Sequence, residues 1–94
     1  MLYIDSLEID DHILDKIESK HGVSFSEVEE ACSSDKRHIR KSTDGLYKVF
    51  SRAYAGRFLL VVLVDMGDGC WKVVTARDMT DSERRLYRKA VGEG

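Results

Sequence analysis

Basic and aromatic residues accumulate in the second half of this 94-residue sequence, in a pattern that suits phosphate binding. A guanidinium group can hold two phosphate oxygens at once, and an aromatic ring can stack on an exposed base of single-stranded RNA. Strict alternation along the last predicted strand would place Arg77 on one face with the alternate residues back to Trp71. The set further includes Arg52 and Tyr54 on an earlier predicted strand, Arg57 at the entry to the next one, and Arg84, Arg85, Tyr87, Arg88 and Lys89 on the last predicted helix.

The bases of that last helix also have a purely structural explanation. Pairs of bases spaced i, i+4 form a double row along it. Such a row is more often a solvated face than a binding site, and Asp81 is placed to pair with Arg85. The helix row by itself therefore favours the solvated face.

Several enzyme motifs are absent from the sequence. It contains no glycine-rich phosphate loop, no Gly-x-Ser-x-Gly turn and no paired-cysteine zinc spacing. His12, His21 and His38 show no metal-ligand spacing with the carboxylates. Cys32 lies on the apolar face of a predicted helix, where a buried thiol behaves as a small hydrophobe. We therefore expect neither a metal site nor a cofactor.

Length and composition predict a single domain spanning residues 1–94. Apolar residues make up 43% and charged residues 34%, which suits a soluble globular protein, and no apolar run approaches the ~18 residues of a membrane span. The two cysteines, Cys32 and Cys70, are far apart, and the first residues do not resemble a secretory signal. These features predict a cytoplasmic protein without membrane contact.

Charge is distributed unevenly along the chain. Residues 1–35 contain ten acids and two bases, for a net charge of −8, whereas residues 36–94 contain thirteen bases and seven acids, for a net charge of +6. The basic half could present a phosphate-binding face, or the acidic half could pack against it and neutralise it. Charge alone leaves both alternatives open.

The first half of the chain has the start and stop signals of two helices. Residues 2–4 form either a short strand or an extended arm. Asp10-Asp11 supplies favourable N-cap residues for a first helix that ends at Gly22. A capping box from Ser24 to Glu27 begins the second helix.

From about Arg37 the hydrophobic period changes to that of strands. Turn residues separate four predicted strands at 37–41, 46–54, 57–65 and 71–77, which indicates an antiparallel meander. The unbroken apolar run 58–64 indicates burial on both faces, hence a central strand. A second capping box, Thr80 to Glu83, begins a last helix that reaches about Val91. The predicted fold is α+β, in the order ααββββα, with helices covering one side of a four-stranded sheet.

Three segments resemble a known family. Lys20-His21-Gly22-Val23-Ser24-Phe25, followed by Glu27 and Ala31, is similar to a stretch of the BrnT-type toxins. Val74-Thr75-Ala76-Arg77, then Glu83-Arg84-Arg85 and Tyr87, resembles the ending of that family, and the strand beginning at Gly56-Arg57 resembles the one between them. The resemblance extends over roughly residues 8–89, with the motifs in the expected order.

The resemblance implies a RelE-like endoribonuclease toxin of a bacterial type II toxin–antitoxin pair. Such a toxin acts on RNA without a metal and is held inactive by a ribbon-helix-helix antitoxin, and any contact with DNA is made only through the antitoxin complex. The family's helix–helix–sheet–helix layout agrees with the order of elements predicted above. The alternative is a non-catalytic binding module that retains the RelE fold and docks a protein or an RNA.

A metal-independent ribonuclease attacks the phosphate with the adjacent 2′-hydroxyl, which requires a proton acceptor, positive charge at the phosphorane and an acid for the leaving oxygen. His21 suits proton transfer because the unperturbed pKa of histidine, ~6.5, lies near working pH. The candidate catalytic residues are His21, with Glu83 as an alternative base, Lys20, Arg57 and Arg77 as charge stabilisers, and Tyr87 as a proton donor or stacking ring; the candidate RNA-binding residues are Arg52, Tyr54, Arg84 and Arg88.

Structural roles compete with the catalytic ones. Glu83 is already explained as the third residue of a capping box. Lys20 and His21 lie in the last turn of a helix, where cations are favourable whatever their chemistry. A structural ion pair with Asp78 or Asp81 would explain Arg77.

Overall fold

A computed structural model describes residues 3–93. The elements in chain order are β1 (Ser6–Glu8), α1 (Asp11–His21), α2 (Phe25–Ser33), β2 (His38–Lys41), β3 (Leu46–Arg52), β4 (Phe58–Gly67), β5 (Cys70–Asp78) and α3 (Asp81–Ala90). Of the segment expected to be a strand or an arm, Leu2 lies outside the described residues. Tyr3 and Ile4 have no regular secondary structure, and the indole N–H of Trp71 donates to the Tyr3 carbonyl at 2.9 Å. The described part of this segment is therefore not a strand, and Ile4 packs against the core.

The strands form one mixed sheet in the order β1-β5-β4-β3-β2. Strands β2 to β5 are successive antiparallel neighbours, which confirms the predicted meander. The prediction of four strands is wrong, because Ser6–Glu8 adds a fifth, parallel to β5 at Cys70–Lys72. Three residues with a single apolar side chain carry too little alternation to identify a strand, and their pairing depends on a distant partner.

Helices cover both faces of the sheet, and the prediction of one covered side is wrong. Leu59, Val61 and Leu63 of β4 are buried in the core beneath α1 and α2. Leu60 and Val62 point the other way, into a smaller core that includes Tyr87 of α3. Successive side chains of a strand face opposite sides, so a continuous apolar run requires a cover on each.

A bulge in β5 separates side chains that were predicted to share a face. Val62 of β4 pairs with Thr75, whereas Leu63 pairs with Val73, so the register shifts by one residue between them. An extra residue in one strand reverses the facing of everything beyond it. Trp71 and Val73 consequently lie in the core beneath α1 and α2, while Arg77 reaches the carboxylate of Glu83 on α3.

Both predicted capping boxes are present. The Ser24 hydroxyl accepts from the Glu27 N–H at 3.2 Å, and the Thr80 hydroxyl accepts from the Glu83 N–H at 3.2 Å. Gly22 ends α1 in the left-handed conformation, with φ of 62°. None of the described helices is long and apolar enough to span a membrane.

Candidate functional site

Four chain segments meet at the end of the sheet where β4 begins and β5 ends, and Arg57 lies at their centre. Its Nε and Nη2 donate to the two carboxylate oxygens of Asp78, at 2.7 and 3.0 Å. Its Nη1 and Nη2 also donate to the carbonyls of Gly22 and His21, both at 2.7 Å. The Glu27 carboxylate accepts from Nη1 at 3.2 Å. One guanidinium thus joins the end of α1, the start of α2 and the end of β5.

This arrangement uses every donor that Arg57 has. A guanidinium carries five N–H groups, and the five acceptor contacts above engage all of them. The bonds to Asp78 raise the pKa of Arg57, and the same bonds lower the pKa of Asp78. The side chain is 27% exposed. A phosphate can reach this guanidinium only by displacing a carboxylate.

Arg77 is bound in a similar but less complete way. Its Nη1 and Nη2 donate to the two carboxylate oxygens of Glu83 at 2.8 and 3.0 Å, and Nη1 also donates to the carbonyl of Asp78. The expected ion-pair partner, Asp78 or Asp81, is therefore replaced by Glu83. These three bonds within the described residues leave two of the five N–H groups for an incoming ligand.

Glu83 is a poor proton acceptor in this setting. The Arg77 guanidinium and then the Thr80 backbone N–H hold the pKa of Glu83 down to about 2. A carboxylate with so low a pKa gives little driving force for taking a proton from a hydroxyl. Its position as capping residue and ion-pair partner of Arg77 accounts for it fully.

Lys20 and His21 lie in the last turn of α1, at the same end of the sheet as Arg57. The Lys20 side chain is exposed and that of His21 is half-buried. The His21 backbone is held by Arg57, and a positive charge on its imidazole would help to lower the pKa of Asp78. Arg57 thus links the backbone carbonyl of His21 to the carboxylate of Asp78.

Tyr87 is buried and is therefore not accessible to a ligand at this end of the sheet. Its residue surface is 0% exposed, and its hydroxyl donates to the Lys36 carbonyl at 2.5 Å. Its ring meets that of Phe58 edge to face, with centroids 6.0 Å apart. A ring enclosed in this way cannot stack on an RNA base, so the structure contradicts that expected role.

Three of the four candidate RNA-binding residues surround one aromatic ring. The guanidinium carbons of Arg52, Arg84 and Arg88 lie 5.2, 5.9 and 5.0 Å from the centroid of Phe58. The fourth candidate, Tyr54, is 81% exposed on the neighbouring loop. We call the three arginines and Phe58 the arginine cluster.

Phe58 was not recognised from the sequence as the organiser of this cluster. Arg52 and Phe58 are cross-strand partners on either side of the loop 53–57. The short length of this loop is the sequence signal that could have shown that they pair. The packing of α3 against the same face could not be read from local pattern. Arg84, and not Arg85, pairs with Asp81.

The acidic and basic halves lie largely on opposite faces of the sheet. Helices α1 and α2, which carry many of the acids, cover one face, and α3 with its four bases lies on the other. Ion pairs such as Asp10–Lys72 and Glu27–Arg57 join the two halves. The arginine cluster lies on the face opposite α1 and α2, where Arg84 pairs with Asp81 and Arg52 with Glu93, so its neutralisation is partial.

The described residues contain no group of three or more His, Cys, Asp or Glu side chains placed to hold a metal ion. Cys32 is buried, and desolvation raises the pKa of its thiol to about 12, which makes it unreactive as a nucleophile. The cysteine therefore behaves as the small hydrophobe that its position on α2 predicts.

Comparison with known proteins finds a likeness in structure and none in sequence. No protein-family model matches the chain, and no curated protein has a significantly similar sequence. Among solved structures, the crystal structure of the Brucella abortus ribonuclease toxin BrnT superposes with a TM-score of 0.67. The match covers 81% of this chain and 97% of that chain at 14% identity. The chain accordingly has the fold of that toxin.

Proposed function

We propose that this protein is an endoribonuclease toxin of a type II toxin–antitoxin pair, cleaving RNA without a metal. The observation that carries the proposal is its fold likeness to a ribonuclease toxin across 97% of that toxin's chain. The arginine cluster, on the face opposite the acidic helices, supports RNA as the ligand.

His21 is the proton acceptor in this proposal. Its neutral imidazole takes the proton of the 2′-hydroxyl as that oxygen attacks the adjacent phosphorus. The bond from phosphorus to the 5′-oxygen then breaks, leaving a 2′,3′-cyclic phosphate and a 5′-hydroxyl that receives a proton. Lys20, exposed beside His21, is the proposed source of that proton. The Asp78 carboxylate stabilises the imidazolium that forms.

Arg77 and Arg57 divide the remaining work between them. Arg77 has donors to spare and stabilises the charge on the phosphorane. Arg57 has none, and acts by joining the backbone at the end of α1, where His21 lies, to the Asp78 carboxylate. Arg57 is therefore a positioning residue.

Cleavage of a labelled single-stranded RNA by the purified protein in excess EDTA tests the proposal. We expect cleavage to persist in EDTA and to fall about 10²-fold or more in Arg77→Ala, the loss typical of removing one transition-state donor. Arg40→Ala removes the same charge from an exposed position on β2 and should cleave normally. Cleavage abolished by EDTA would refute the metal-independent mechanism.

The proposal includes a protein partner. A ribbon-helix-helix antitoxin that lays acidic or apolar side chains over Arg77 and the arginine cluster would inhibit by covering them, and DNA would be contacted only by that complex. Hydroxyl-radical footprinting of the co-purified complex should show protection at Phe58 and the preceding loop. Full labelling there would count against inhibition by occlusion.

A non-catalytic binding module is the second candidate, and the saturated guanidinium of Arg57 is the observation in its favour. A module of this kind needs a rigid structure at this end of the sheet, and it does not need a side chain that is free to react. It predicts a folded protein that binds RNA or its partner and leaves RNA intact.

A further inference from the structure

Outside the proposed catalytic site, one carboxylate bridges two bases on the α3 side of the molecule. The Glu93 carboxylate lies 3.6 Å from Lys36 Nζ and 3.3 Å from Arg52 Nη1. It is only 18% exposed, whereas Lys36 is 63% exposed. The Glu93 backbone N–H donates to the Arg88 carbonyl at 2.7 Å, which fixes the segment that follows α3.

A surface depression opens directly beside this bridge. Lys36, Arg52 and Tyr54 line it, together with Ser34 and Asp35. Tyr54 is largely exposed, and its backbone N–H is anchored to the Glu30 carboxylate at 3.0 Å. Two bases and an exposed ring that line one depression are the elements that bind one nucleotide of a single strand.

We propose that Lys36, Arg52 and Tyr54 form a nucleotide subsite for RNA, and that Glu93 occupies its phosphate position in the free protein. A carboxylate and a phosphate accept from the same donors, so an incoming phosphodiester competes with Glu93. Arg52 also belongs to the arginine cluster, which links the subsite to Arg84 and Arg88 around Phe58. The subsite rests on the proposed RNA-cleaving function for its ligand, and its binding is measurable without cleavage.

The competition sets a clear expectation for charge removal. Glu93→Gln frees both bases while keeping the shape of the side chain. Loss of these two partly exposed ion pairs corresponds to roughly a three- to fivefold gain in affinity. Asp35 stays in the depression and limits the gain. Lys36→Ala should weaken binding and reduce the slope of log K against log salt by ~0.7, the value for one lost phosphate contact on a single strand.

The experiment is binding of a fluorescent 2′-O-methyl RNA octamer, which has no 2′-hydroxyl to attack. Affinities are measured by anisotropy for wild type, Glu93→Gln and the matched control Glu8→Gln, with thermal unfolding of each to confirm folding. Glu8 is exposed on β1, at the far edge of the sheet from Arg52, and its substitution changes net charge equally. We expect tighter binding only in Glu93→Gln, and loss of that gain in the Glu93→Gln/Lys36→Ala double variant.

Several results would overturn the subsite. Equal affinities of Glu93→Gln and Glu8→Gln would show a general charge effect. Inorganic phosphate or an octaglutamate peptide binding as tightly as the octamer would make the ligand a free anion or an acidic protein. We expect Tyr54→Ala to weaken binding about fivefold. An unchanged affinity would show that the Tyr54 ring does not stack on the RNA. Because cleavage plays no part, an inactive protein that passes these tests refutes only the ribonuclease proposal.

Discussion

Arg57→Ala separates a structural role of this residue from a catalytic one. The substitution leaves the carboxylates of Asp78 and Glu27 and the carbonyls of His21 and Gly22 without their shared donor. Hydrogen bonds to charged groups contribute ~1.5–3 kcal/mol each when buried, and water reaches part of this site and replaces some of them. We therefore expect a loss of about 2–4 kcal/mol in the free energy of unfolding.

That loss is large for a chain of this length. A 94-residue domain has about 5–14 kcal/mol in total, and each kcal/mol shifts the melting temperature of such a domain by ~4–8 °C. Urea unfolding followed by circular dichroism gives the free energy directly. Arg85→Ala, an exposed charge on α3, should change it by less than ~0.5 kcal/mol.

Arg57→Lys tests whether geometry or charge matters. Lysine keeps the charge and loses the planar fork that engages Asp78, so it should recover less than half of the lost stability. Stability within ~0.5 kcal/mol of wild type in Arg57→Ala, together with abolished cleavage, would refute the positioning role and assign Arg57 to the reacting phosphate.

Three further outcomes follow from the same contacts. The pKa values of Glu27, Asp78 and Glu83 are lowered in the folded state, so the stability that they contribute is full above about pH 5 and is lost as the pH falls toward 2. The free energy of unfolding, measured at successively lower pH, should show this loss, and the loss should be smaller in Glu83→Gln. Tyr87→Phe removes the hydroxyl bond to Lys36 and should cost about 1 kcal/mol in urea unfolding, whereas normal stability with lost cleavage would favour a catalytic hydroxyl. Cys32 should resist a thiol reagent until the protein unfolds, and labelling at the native rate of an exposed thiol would contradict its burial.

Much of the fold follows from local signals in the sequence. The two capping boxes predict where α2 and α3 begin, because each satisfies its helix terminus with side chains only three residues apart. Turn residues and alternation predict the meander in the same way. The sequence does not reveal strand β1, because it pairs with a segment far along the chain, or the bulge in β5, because the register with β4 sets it.

Residue types and spacing propose His21, Arg57 and Arg77 as catalytic residues, and these roles stay predictions. The sequence does not show which side chains each of them contacts. The partner of Arg77 depends on the bulge in β5, which directs its side chain toward Glu83 of α3. Tyr87 was expected to be accessible to RNA, and it is buried. Its position on α3 does not by itself show which face of the helix packs against the sheet.

The two arginines near the start of β4 and the end of β5 differ in the number of N–H groups that they leave for a ligand. Arg57 enters β4 from the loop and meets α1, α2 and β5, so its five donors are used up by the fold. Arg77, turned to the other face, meets Glu83 and one carbonyl and keeps two donors. A residue that stabilises a phosphorane needs donors that the fold leaves free. Substitution of Arg77 should therefore affect cleavage more than stability, and substitution of Arg57 the reverse.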